Sequence, residues 1–374
     1  MTEHHDVLEA LNEQRPLQEK LVAAHESMKK LFPFVVRIAV AIYDPGTKVL
    51  KSFLHSGEDG IPKHTQILLD EAPSLKALLE KGLPRVINNL LTFEEEGNAY
   101  TQRIGRSGYA ASYTLPMFND GEFFGFIFFN ANERDVFNEK ALSQLDIFGH
   151  VISLMVINEL NAIHMLTVAI KTTGHMTHHR DPETGSHLDR MSRYSLIIAR
   201  TLADQYGLDD DFIQHLFMFA PLHDIGKIAI PDNILLKEGS LDEDEVIVMK
   251  SHAQKGREMI DELIKDFGLH DVQHIELLRN IASYHHEAIN GSGYPEGRKG
   301  EDIPIEARIV AVADVFDALT SRRPYKEAWT NDHAIEVLRN MAGEKLDHNC
   351  VEALIAHLDE VEAIQHQFKE NLYS

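Results

Sequence analysis

With 374 residues, of which 44% are hydrophobic and 25% charged, the chain has a globular composition and length enough for two cores. Its 36 basic and 59 acidic side chains leave a formal charge of −23, which repels nucleic acid polymers and anionic membranes, so an anionic substrate needs a local cationic site. The single cysteine, Cys350, excludes an internal disulfide and a cysteine-built zinc site; no uninterrupted apolar run reaches the ~18–20 residues of a membrane span, and Met1–Pro16 lacks the basic start and apolar stretch of a leader, so a cytoplasmic protein is expected.

Thr2–Lys30 is polar with a helical stripe of Leu8, Leu11, Leu17, Leu21 and Ala24. The period then changes. Val35–Tyr43 and Lys48–Leu54 read as strands around an Asp44-Pro45-Gly46 turn, Leu68–Lys81 as a helix and Arg85–Leu91 as a strand. Ser112–Phe118 and Glu122–Asn130 form a hairpin, because Asp120-Gly121 supplies the positive φ that a tight turn needs. An α+β domain with an antiparallel sheet is expected over residues 1–137, including the N-terminal helix.

Asn138–Met165 follows as a long helix within a linker at 138–172. Ala141, Leu145, Phe148, Ile152 and Met155 repeat by four and three, which suggests a homodimer through a parallel helix pair. A second stripe of Leu142, Ile147, Val151, Leu154 and Val156 leaves a buried interdomain helix as the alternative. From Ala169 onward the pattern is helical with Gly, Asp and Pro punctuation, so 173–374 is expected to be an all-α domain.

Chemistry concentrates in this second part. The apolar run Leu216–Leu222 ends in His223 and Asp224, and a buried imidazole beside a buried carboxylate is costly unless each has a partner. A metal ion would serve both; an Asp224–Lys227 pair with a helix-end histidine is the alternative. Similar residues recur at His252, His285, His286 and Asp314, while Glu183 and His187, four apart, share a face if helical. Eight imidazole and carboxylate candidates without a thiolate favour iron, manganese or a zinc cluster, and they exceed the needs of one ion.

The strand–turn–strand opening, the hairpin SYTLPMFNDGEFFGFIFFN and the helix FNEKALSQL resemble a GAF domain. The resemblance implies a domain that dimerises or takes a small ligand. The Asn-Lys…Phe…Asp-Glu pattern of cyclic-nucleotide binders is not traceable, and no cysteine is present there to tether a bilin.

The runs RDPETGSH, HDIGKIAIPDNILLKEGSLDEDE, MKSHAQKG, YHHEAINGSGYPEG, ARIVAVADVFDALTSRRPYK and GEKLDHNCVEAL closely resemble the HD-GYP phosphodiesterases of the HD superfamily. One departure is Leu346–Val351, where the family has Phe-Asp-Pro. The resemblance implies metal ligands at Glu183, His187, His223, Asp224, His252, His285, His286 and Asp314, with Asp224 bridging two ions. Glu183 and His286 go with a third, so two or three divalent ions, iron or manganese, are expected, without an organic cofactor. It also implies that Lys227 meets the phosphate or protonates the leaving oxygen, and that Gly293, Tyr294 and Pro295, with Arg323 and Lys326, bind substrate. The implied reaction is hydrolysis of a cyclic dinucleotide, cyclic di-GMP first, to linear pGpG and onward to GMP. Cyclic GMP-AMP hydrolysis and a catalytically weak signalling module are the alternatives.

Overall fold

The computed structural model describes residues 8–13, 15–57, 65–90, 108–176, 185–267, 274–321 and 328–369. The chain divides into two compact units, Met1–Ala162 and Ile163–Ser374.

The first unit is α+β. Helix α1 spans Leu17–Lys29 and starts directly after Pro16, so the helical stripe expected from Thr2 is broken there; Glu9–Asn12 is a short 3-10 turn. Strands β1 (Val35–Asp44), β2 (Val49–Gly57), β3 (Gln66–Leu68), β4 (Arg85–Ile87), β5 (Ala111–Asn119) and β6 (Glu122–Ala131) form one sheet in the order β3-β2-β1-β6-β5-β4, antiparallel at every pairing. The β5–β6 turn has φ of 49° at Asp120 and 86° at Gly121, the two positive values that a two-residue hairpin requires. The helix expected over Leu68–Lys81 is instead β3, a 3-10 turn at Leu69–Glu71 and helix α2 at Pro73–Lys81. Pro73 lacks the N–H that an upstream turn would use and is preorganised for a first helical position. Of the strand expected over Arg85–Leu91, Arg85–Ile87 forms β4, residues 88–90 are not strand, and Leu91 lies outside the described residues.

Helix α3, Glu139–Met176, contains the boundary between the units. Gly149 lies so close to the sheet that a Cβ there would come within 2.4 Å of Leu115, and Tyr113 donates its hydroxyl proton to Asp146. The stripe proposed as a dimer seam therefore serves the first unit itself: Ala141, Leu145 and Ile152 are buried, whereas Ile147 and Leu154 of the second stripe are 65% and 68% exposed. Glu139–Asn161, with a mean hydropathy of 1.3, is long and apolar enough to cross a membrane by length and composition, which a count of uninterrupted apolar runs did not register.

The second unit is helical. Its elements are α4 (Gly185–Tyr206), α5 (Asp210–Phe219), α6 (Asp232–Leu235), α7 (Glu243–Lys250), α8 (His252–Phe267), α9 (Ile275–Tyr284), α10 (Ile305–Thr320), α11 (Asn331–Met341), α12 (His348–Ile355) and α13 (Leu358–Gln367). Helix α4 is central and packs on α5, α10 and α12 around Met191, Tyr194, Ile198, Leu216, Phe219 and Phe316. Local signals set the helix starts: Asp209 accepts from Phe212 N at 2.7 Å, and Asp242 and Glu245 form a reciprocal capping box. In the divergent Leu346-Asp347-His348 run, Leu346 is buried in the core, and Asp347 caps α12 and accepts from Arg308 at 2.7 Å.

Candidate metal centre

The centre is assembled from helix ends. Helix α5 delivers the chain through a 3-10 turn, Ala220–Leu222, to His223 and Asp224; α8 opens with His252; α9 closes on His285 and His286; α10 carries Asp314 and α4 carries His187. A second 3-10 turn, Ile225–Ala229, can lie against α8 only because residue 226 is glycine: a Cβ there would sit 1.9 Å from His252 O and 2.5 Å from Gly256 N.

Each histidine is aimed by its other ring nitrogen. Nδ1 of His223, His252 and His285 lies 3.1, 2.8 and 2.9 Å from the carbonyl oxygens of Ala220, Met249 and Ile281. A carbonyl only accepts, so Nδ1 carries the hydrogen and Nε2 the lone pair. His187 is held by a side chain instead, its Nδ1 lying 2.7 Å from Asp317 Oδ2. All four rings are almost fully buried.

The donors fall into two groups, Asp224 with His252, His285 and His286, and His187 with His223 and Asp314; within each group the donor atoms lie within 4.8 Å of one another. Asp224 joins the groups. Its Oδ1 is 3.1 Å from His252 Nε2 and 3.5 Å from His285 Nε2, while its Oδ2 is 3.1 Å from His223 Nε2. Asp314 Oδ1 stands 4.0 Å from Nε2 of both His187 and His223. With Nδ1 protonated, the Nε2 atoms of His252 and His285 face Asp224 Oδ1 lone pair to lone pair, and none of these three buried atoms makes a hydrogen bond. Cations fit this donor set and would satisfy those atoms.

The electrostatics agree. Burial alone would raise the Asp224 carboxyl, but Lys227, whose Nζ is 2.7 Å from Oδ2, and His223 outweigh it and hold Asp224 well below the usual carboxylate range. Burial keeps His285 below its usual value against the pull of Asp224, and burial, then the neighbouring His285, pushes His286 well down. Neutral imidazoles at His285 and His286 beside an ionised Asp224 are the protonation states that divalent ions require. The Asp224–Lys227 pair, the alternative weighed from the sequence, is present alongside the cluster.

The Gly293–Pro295 loop lies beside the first group, against His286 and His252. The Tyr294 ring is 4.8 Å from His286 at 32°, Lys250 Nζ is 5.2 Å from its centre, and burial raises the phenol's pKa well above its usual value. Gly293 has its own reason to lack a side chain: a Cβ would approach Ala288 N to 2.3 Å. Behind the loop the buried Glu287 accepts from the amides of Glu296, Gly297 and Arg298 at 2.8, 3.1 and 3.0 Å.

Seven of the eight expected ligands thus converge, with Lys227 and Tyr294 beside them. Glu183, Arg323 and Lys326 lie outside the described residues. Asp317, Arg190, Glu287 and Lys250 also serve the site and are not among the residues expected from the sequence. For Asp317 a signal existed, since it follows Asp314 by three residues and so shares its helix face.

Residues 182–350 match the HD domain family. The chain is 48% identical over 190 residues to the cyclic di-GMP phosphodiesterase response regulator RpfG of Xanthomonas campestris pv. campestris, an alignment covering 51% of this chain and 47% of that protein. It is 35% identical over 258 residues to the 3'3'-cGAMP-specific phosphodiesterase 2 of Vibrio cholerae, covering 64% and 47%. A cyclic di-GMP phosphodiesterase of Thermotoga maritima is 36% identical over 195 residues, covering 52% and 50%. The chain therefore spans about half the length of these curated relatives. The stretch that matches the HD domain family includes His187, His223, Asp224, His252, His285, His286 and Asp314.

Proposed function

We propose that this chain is a metal-dependent phosphodiesterase that hydrolyses a cyclic dinucleotide. The observation that carries the reading is Asp224, whose two oxygens face separate imidazole groups. His187, His223 and Asp314 would hold one divalent ion and His252, His285 and His286 another, with Asp224 between them; iron or manganese suits the donors. Such a pair supplies an activated water and positive charge for the developing phosphorane. Lys227 Nζ lies 2.7 Å from Asp224 Oδ2, so its ammonium can turn to a phosphate oxygen or give a proton to the leaving oxygen. Tyr294 offers a stacking face and a hydroxyl, and Gly293 and Pro295 hold it in place. Lys250 adds positive charge at its ring, and Arg323 and Lys326 are assigned to the phosphates.

Cyclic di-GMP, cut to pGpG and onward to GMP, is the substrate we favour, since several of the relatives carry that activity in their names. The alignment with the 3'3'-cGAMP-specific enzyme, which extends to 258 residues, makes cyclic GMP-AMP the second candidate. Incubating metal-loaded full-length protein with both cyclic dinucleotides, and following products over time, tests the reading. Inertness towards every cyclic dinucleotide at full metal occupancy would leave a signalling module.

We also propose that the first unit is a GAF-like regulator that binds a small molecule and that the protein is a cytoplasmic homodimer. The exposed Ile147 and Leu154, seven residues apart on α3, support a helix-to-helix dimer contact. Light scattering of wild type against Ile147→Glu with Leu154→Glu checks it.

A further inference from the structure

The hydrogen-bond chain behind His187 runs on past Asp317 and ends at the residue that closes α13. Asp317 holds the His187 ring, and Arg190 holds Asp317. The Arg190 guanidinium has further partners at its outer edge: Nη1 donates to the backbone oxygen of Phe368 at 2.9 Å and Nη2 to Ser321 Oγ at 2.6 Å. A guanidinium is a rigid planar fork, so acceptors on separate nitrogens fix the tilt of its plane as well as its position.

Phe368 is itself held by contacts outside this chain of bonds. Its N–H donates to the oxygen of the buried Ile364 at 2.9 Å, ending the helix, and its ring packs against the core of the unit. The guanidinium carbon of Arg193 lies 4.2 Å from the centre of that ring, inside the ~6 Å of a cation–π contact, and 5.4 Å from the ring centre of Phe217 on α5. Ser186, the residue before His187, donates its hydroxyl proton to Lys369 O at 3.4 Å. Residues 368 and 369 are thus fastened to the first turns of α4, the helix that carries His187. The last carbonyls of any helix need a donor, but a surface side chain or water would serve. The donor here is the arginine that grips Asp317.

We propose that Phe368 is a positioning residue for the ion assigned to His187, His223 and Asp314, acting through Arg190 and Asp317 on the orientation of the His187 ring. The proposal rests on the metal-centre reading above. It carries an asymmetry, because Nδ1 of His223, His252 and His285 is held by carbonyl oxygens instead. Loosening the segment after α13 therefore weakens one ion and spares the ion at His252, His285 and His286. A segment remote in sequence from every ligand gains a handle on the occupancy of half of the centre.

The test is a calorimetric titration of metal-free, full-length protein with manganese(II), comparing wild type, Phe368→Ala and Phe368→Tyr, with Phe368→Ala repeated in an Asp317→Asn background. Phe368→Ala should weaken one of two ions by about 3–10-fold, less than loss of the carboxylate that touches the ring, and leave the other unchanged. Phe368→Tyr keeps the ring under Arg193 and should match wild type. In the Asp317→Asn background the alanine should add nothing, because the link is already cut. Equal weakening of both ions would reduce Phe368 to general packing and overturn the proposal. Unchanged affinities, or an undiminished effect in the Asp317→Asn background, would overturn it as well. Phe368 is half-buried, so where the alanine variant fails to fold, Phe368→Leu, which keeps apolar bulk without the ring face, decides by the same criteria. Wild-type protein that takes up no pair of ions would remove the metal-centre reading, and the proposal with it.

Discussion

Asp317 fixes His187 from behind: its Oδ2 accepts the Nδ1 hydrogen at 2.7 Å, while Arg190 donates to both its oxygens, Nε to Oδ1 at 2.6 Å and Nη2 to Oδ2 at 2.9 Å. The carboxylate is fully buried, and the bonds from His187 and Arg190 outweigh burial to keep it ionised. It both selects the tautomer that presents Nε2 and anchors α4 to α10. Asp317→Asn should lower metal affinity by roughly 10–100-fold through loss of ring orientation. Chelator competition would measure it, and unchanged affinity would reduce Asp317 to a packing role.

Asp224→Ala removes the carboxylate shared by both donor groups. Metal content and phosphodiesterase activity should fall together while the helical circular dichroism is retained, because Asp224 supports no helix cap. Full activity in a metal-replete variant would sink the assignment.

Glu183→Ala addresses a residue outside the described range. If it holds a third ion, elemental analysis should show about one metal fewer per chain, with opening of the cyclic substrate less affected than the second cut, since the linear product carries a more anionic terminal phosphate. Equal metal content would return Glu183 to a helix-end acid.

Glu287→Gln leaves a carbonyl in place of an acceptor that serves three amides. The cost should be about 1–3 kcal/mol in local stability, because buried charge-assisted hydrogen bonds are lost. Hydrogen exchange over 294–298 should quicken and KM should rise while metal content stays constant. A change in metal content instead would assign Glu287 to the centre and not to the loop.

The first unit carries a pH dependence of its own. His25 is buried between α1 and the sheet, with Nε2 3.0 Å from Val35 O and Nδ1 2.9 Å from Ser56 Oγ, and burial lowers its pKa. Below the unfolded value of about 6.5 the unfolded chain binds the proton more readily, so stability is present above that pH and declines as pH falls towards the folded value. Thermal melts between pH 7.5 and 5 should show a slope that His25→Gln flattens, and an identical slope in both proteins would assign the effect elsewhere.

Much of the centre was legible because its residues sit in tight local runs. HD at 223–224 and HH at 285–286 end apolar helices, where a polar pair needs a reason. The β5–β6 hairpin was equally plain, since Asp120-Gly121 has few other uses. The division of Leu68–Lys81 was hidden because β3 is stabilised by pairing with β2, a long-range contact with no local period. The α3 stripe misled for a related reason: heptad spacing marks an apolar seam but not its occupant, and Tyr113 and Leu115 of the sheet lie against that face. Asp317 and Glu287 act through a partner's ring or a loop's amides, and no spacing rule announces such support.

Gly226 and Gly256 meet where the turn after Asp224 touches α8, with Gly226 N 3.3 Å from the place a Gly256 Cβ would take. The gap between the segment bearing His223 and the helix bearing His252 is thus measured by two absent side chains, main chain resting on main chain. Packed backbone has almost no give, so the spacing of the two donor groups is a rigid dimension of the fold, insensitive to salt or to the long side chains nearby. One methyl group at either glycine would act as a spacer, altering which ions bridge the groups before it altered how many donors there are.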